Sequence, residues 1–141
     1  MKIITGTFPF LETHDGTFCE SAAIARYFAR LHPEKHLNGA NNFETAVVDQ
    51  WIDFNSGTLV PHLLTTLMGT FGWSPVEKDR YDAGVKGLKS AATTLNTYLQ
   101  GKEWLVGNHV TVADTVLGVS VAIACQTVLD GGFRKAMGNL S

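Results

Sequence analysis

The sequence predicts a mostly α-helical protein that opens with a β-hairpin and one short helix. Three observations carry this reading. Two short apolar segments flank a turn before residue 20, large apolar residues recur at helical spacing from Asn41 onward, and that longer stretch lacks strand-like alternation. Of 141 residues, 45% are hydrophobic and 17% charged. That much apolar surface offsets chain entropy and excludes intrinsic disorder.

Phe8-Pro9-Phe10-Leu11-Glu12 and Thr17-Phe18-Cys19 are the two short segments. Thr13-His14-Asp15-Gly16 separates them, and Asp-Gly marks a hairpin because glycine tolerates positive φ. Glu20-Ser21 opens a helix, with Ser21 placed to cap its free amides. Its apolar face runs through Ala22, Ile24, Ala25, Tyr27, Phe28 and Leu31. His32-Pro33 ends it, since proline disfavours α geometry in the residue before it.

Phe43, Val47, Trp51 and Phe54 share one helical face, and Val60, Leu64, Leu67 and Phe71 continue the pattern. Pro61 lies inside this run, so a kink or break is expected near Thr58 to Val60. After Gly72-Trp73-Ser74-Pro75, a second long helix is expected from about Val76 to Leu99, stopped at Gly101. Thr111-Val112-Ala113-Asp114 reads as a variant capping box, a hydroxyl three residues ahead of a carboxylate. The run Val116 to Leu129 is apolar nearly all round, which suits a helix buried at a bundle centre.

Several function classes fall away. The formal net charge is −2 and the longest basic run is Arg134-Lys135, so direct nucleic-acid binding is not expected. No stretch approaches the roughly 20 apolar residues of a membrane helix. Cys19 and Cys125 are isolated thiols, which points to a reducing cytoplasmic compartment rather than a disulfide framework. His32 and His36 stand four apart, but Pro33 between them spoils a helical metal pair, and no metal site is expected. Asp114 reads as a cap, not a catalytic acid, and the three tryptophans read as core.

With these residues laid out, the chain resembles the glutathione transferase superfamily. Gly6-Thr7-Phe8-Pro9-Phe10-Leu11-Glu12-Thr13, with Glu20-Ser21-Ala22-Ala23-Ile24-Ala25-Arg26-Tyr27, is similar to the half of its thioredoxin-like domain that holds a cis-proline and a Glu-Ser pair. Trp104 to Asp114 is similar to the loop and capping box before its central helix. Gln50-Trp51-Ile52-Asp53-Phe54, Leu59-Val60-Pro61 and Val128-Leu129-Asp130 with Phe133-Arg134-Lys135-Ala136 resemble one subgroup, the transferase-like domains of elongation factor 1B gamma subunits.

The resemblance implies a partial thioredoxin-like domain over 1–36 and a helical transferase C-terminal-like domain over 37–141. No cofactor is expected; the resemblance implies a glutathione-binding or vestigial site at Phe8, Pro9, Glu20 and Ser21, the alternative being that Ser21 is simply a helix cap and Pro9 a fold-defining turn. The strand–helix–strand that carries the family's catalytic Ser, Tyr or Cys has no counterpart before Lys2, so no catalytic residue is assigned. The leading expectation is a non-catalytic scaffold that joins protein subunits of a translation elongation complex, supporting nucleotide exchange on elongation factor 1A, with a homodimer also compatible. The alternatives are a glutathione transferase that conjugates glutathione to electrophiles, and a transferase-like subunit of another large assembly.

Overall fold

A computed structural model describes residues 8–73, 75 and 77–140. Gly6, Thr7, Ser74, Val76 and Ser141, which figure in the motifs, turn and helix start above, lie outside them. The chain is mostly helical behind one hairpin. Strands β1 (Phe10–Thr13) and β2 (Gly16–Cys19) pair antiparallel, with Phe10 opposite Cys19 and Thr13 opposite Gly16. The turn is centred on His14-Asp15, one residue before the Asp-Gly step. Gly16 starts β2 at φ 149°, and the Thr13 hydroxyl donates to its carbonyl at 3.0 Å. Glycine is suited to that backbone because it has no Cβ to clash.

Helix α1 (Ser21–Arg30) follows directly. One expectation is corrected here: Ser21 is the first helical residue, the cap position is Glu20, and no side chain caps the helix. A 3₁₀ turn at Pro33–Lys35 leads to α2 (Asn42–Phe54), whose start is capped by the Asn41 side chain accepting from the Glu44 amide at 3.0 Å. Arg26 ties α1 to α2. Its side chain is 17% exposed and meets Asp49 at 2.6 Å and Asp53 at 3.5 Å.

The expected break lies slightly upstream and takes a softer form. Asn55–Leu59 is a π-helical turn that joins α2 to α3 (Val60–Thr70) without leaving the helical path. Pro61 has no amide to offer the Gly57 carbonyl and its ring crowds that group, so the preceding turn widens. Helix α4 (Lys78–Tyr98) packs closely on α3. A Cβ on Gly84 would stand 2.9 Å from Thr66 Cγ2, and one on Gly87 would stand 2.5 Å from the His62 ring. These two glycines set how near the helices come.

Helix α5 (Val112–Thr127) touches α1, α2 and α3, and the short α6 (Gly131–Ala136) follows. The core runs through Val48, Trp51, Ile52, Leu59, Leu63, Leu88, Leu95, Leu105 and Leu117. Two sequence expectations are corrected. Helix α5 is not buried all round: Val119 is 58% exposed and Ile123 is exposed beside it. Trp51 is buried as core, but Trp73 is 70% exposed. Among the described residues, no helix is long and apolar enough to cross a membrane.

Candidate functional site

The hairpin register assembles one site. Phe10 and Cys19 form the last ladder pair at the open end of the hairpin; Phe8 and Pro9 lead into the one strand, and Glu20 and Ser21 follow the other. All four residues therefore flank the same end of the hairpin. The Phe8-Pro9 peptide bond is cis. All four residues are exposed, so together they form an open ledge. The Phe8 ring lies against Phe10 at 5.5 Å, outside the core.

Glu20 is the unusual member. Its φ is 78° and its ψ 117°, a conformation that a residue with a Cβ rarely adopts. This turn aims the start of α1 out of the hairpin. The first intrahelical bond runs from the Ile24 amide to the Glu20 carbonyl at 3.0 Å. The amides of the preceding helical residues receive no capping side chain. Uncapped amides and the positive end of the helix dipole together favour an anionic group.

The other motif residues behave differently. Thr111 is buried and caps α5, and it forms a capping box with Asp114. Its amide and hydroxyl both donate to Asp114 Oδ2, at 2.8 and 2.7 Å. Asp114 Oδ1 accepts the Leu105 amide at 2.8 Å, so the carboxylate also fixes the loop ahead of the helix. His32 and His36 part company: His32 Nδ1 meets Glu34 at 3.2 Å, and His36 sits at φ 51° with its ring near His109. Among the described residues no three side chains are grouped to hold a metal ion.

A second surface was not legible in advance. Leu64, Met68, Phe71 and Trp73 form an exposed apolar stripe along α3 and the turn after it, and the Phe71 and Trp73 rings stack at 5.2 Å. Leu64 and Phe71 belong to the face that helical spacing marked as inward. Of the expected set Leu67 is buried, and it is joined by Leu59, Leu63 and Thr66. One signal was available: Val60 to Trp73 contains no Asp, Glu, Lys or Arg, so both sides of α3 are candidates for burial. Exposed apolar stripes of this kind mark interaction surfaces.

Comparison with known proteins agrees with this architecture. The profile "Glutathione S-transferase, N-terminal domain" matches residues 2–36, and "Glutathione S-transferase, C-terminal domain" matches residues 59–140. The chain is 36% identical over 131 residues to a probable elongation factor 1-gamma 2 of Arabidopsis thaliana, which spans 93% of this chain and 32% of that protein. It is 32% identical to a glutathione S-transferase-like protein, LUC7, of a Fusarium species, over 95% of this chain and 62% of that one. Among solved structures, glutathione transferase F2 from Populus trichocarpa superposes with a TM-score of 0.83 at 19% identity, over 96% of this chain and 66% of that one. The chain thus spans about a third of the elongation factor relatives it matches.

Proposed function

The chain belongs to the glutathione S-transferase family, and on that premise we propose that it is a non-catalytic interaction module of the elongation factor 1-gamma kind. In this reading it joins the nucleotide-exchange subunits that reload elongation factor 1A, and it works in the cytoplasm. Residues 1–36 act as a partial thioredoxin-like domain and 37–141 as the helical domain that carries the contacts. The charge-free stripe of Leu64, Met68, Phe71 and Trp73 is the observation that carries it, because a solvent-exposed face of this size and composition is costly unless covered. A titration of the folded chain with purified exchange subunits of elongation factor 1 tests it. Saturable binding lost on replacing Leu64 and Met68 with Ser is expected; no binding by the folded chain sinks the proposal. A homodimer through the same stripe would show as a second, concentration-dependent species in sedimentation and would compete with that binding.

The ledge at Phe8, Pro9, Glu20 and Ser21 favours a second reading, in which the chain binds glutathione and, as part of a longer enzyme, presents it to electrophiles. Phe8 and Pro9 are exposed beside the hairpin's open end, and the uncapped α1 start favours a carboxylate. Calorimetry with glutathione separates the two readings. Affinity that falls with Ser21→Ala supports the second, and silence removes it.

A further inference from the structure

We infer that the apolar pocket bounded by α4, the end of α5 and α6 is a binding site for a small straight-chain carboxylate, with Arg134 to receive its head group. Helix α4 contributes Ala92, α5 contributes Cys125, and Leu129 follows it. Phe133 comes from α6, Met137 from its end, and Leu140 from the 3₁₀ turn Gly138–Leu140. Ala92 and Leu129 are buried, Phe133, Met137 and Leu140 are half-buried, and Arg134 is exposed. The lining therefore grades from core to water, as an amphipathic ligand requires. Its volume is about 240 Å³. An apolar cavity of about 150 Å³ already takes up benzene, so a chain of several methylenes has room.

The walls are tied in place from within the chain. The Asn139 amide donates to Asn96 Oδ1 at 2.9 Å, and Asn139 Nδ2 donates to the Asn96 carbonyl at 3.0 Å, which pins the 3₁₀ turn to α4. Lys89 holds α6 in the same way: its Nζ meets Asp130 Oδ2 at 3.0 Å and lies 5.3 Å from the centre of the Phe133 ring. A ligand therefore loses little free energy to ordering the site. The same ties decide which charge is left over. Among the described residues that line the pocket, Arg134 alone is charged. No described carboxylate lies within 4 Å of its guanidinium. Asp130, one turn before it, is taken by Lys89 and by the Phe133 amide at 2.8 Å. An uncommitted guanidinium beside an apolar pocket that has no acid of its own matches a carboxylate head on an apolar tail.

The pocket shares no residue with the α3 stripe or with the ledge at Phe8, Pro9, Glu20 and Ser21, so it stands or falls apart from both functions proposed above. Isothermal titration of the full chain with butanoate, hexanoate and octanoate tests it, with octylammonium as the charge-reversed probe. Octanoate is expected to bind best, with affinity rising about four-fold for each methylene added. Octylammonium is expected to bind about ten-fold more weakly, and Arg134→Gln, at an exposed position, to weaken octanoate about five-fold. Cys125 supplies a second readout, because its free thiol lines the pocket while that of Cys19, on β2, does not. Bound octanoate is expected to slow alkylation of Cys125 by iodoacetamide, followed by peptide mass spectrometry, and to leave Cys19 unchanged. No saturable binding, equal affinity for octanoate and octylammonium, indifference to chain length or to Arg134→Gln, or no selective protection of Cys125 overturns the proposal.

Discussion

Two helix starts in this chain are built on opposite plans. At the start of α5, Thr111 is buried and Asp114 accepts three hydrogen bonds, two from Thr111 and one from the Leu105 amide. The Val112 amide adds a bond to the Leu37 carbonyl at 2.9 Å. At the start of α1, Glu20 holds a strained φ of 78°, no side chain caps the helix, and every predicted site residue is exposed. Both starts face the same demand, because the first amides of any helix lack intrahelical partners. The α5 start meets it from within the chain. The α1 start has no side chain to meet it.

The comparison can be broken at its capped end first. Asp114→Ala removes three part-buried bonds and orphans the Leu105 and Thr111 amides, so unfolding in urea should show a loss of about 3 kcal/mol. A loss below about 1 kcal/mol would mean that the box is decoration. At the open end the sign should reverse: Glu20→Gly relieves a positive φ and should stabilise by about 1 kcal/mol in the same assay. Arg26→Leu, within α1 where it ties to α2, should cost about 1 kcal/mol, because its partner Asp49 is half exposed and water recovers much of the pair.

Ser21→Ala should move stability least, by less than about 0.5 kcal/mol, since Ser21 makes no capping bond to lose. The smallest effect concerns Asp130, which caps α6. The Phe133 amide, then Lys89, lowers its pKa below the ordinary aspartate value. A lowered folded-state pKa contributes stability above the unfolded pKa and loses it as pH falls through the folded one. Acid titration of wild type against Asp130→Asn should therefore converge only in the acid range, and divergence that persists there would reject the cap.

The residues themselves determined the hairpin, the order and rough bounds of the helices, the disruption caused by Pro61, and the pairing of Thr111 with Asp114. Each of these is decided within one or two turns of chain, where proline, glycine and capping chemistry act locally. Tertiary structure decided the rest. Which side of α3 faces inward was undecidable from spacing, because a stretch without charges offers two apolar faces and only packing against α4 selects Leu63 and Leu67 over Leu64 and Met68. Val119 and Ile123 read as core from composition, yet no described residue covers them enough to bury them. Glu20 and Ser21 were legible as a helix start, but the strain at Glu20 was not. It arises where β2 must stop pairing and turn within one residue into α1, a constraint of the assembled fold rather than of local sequence.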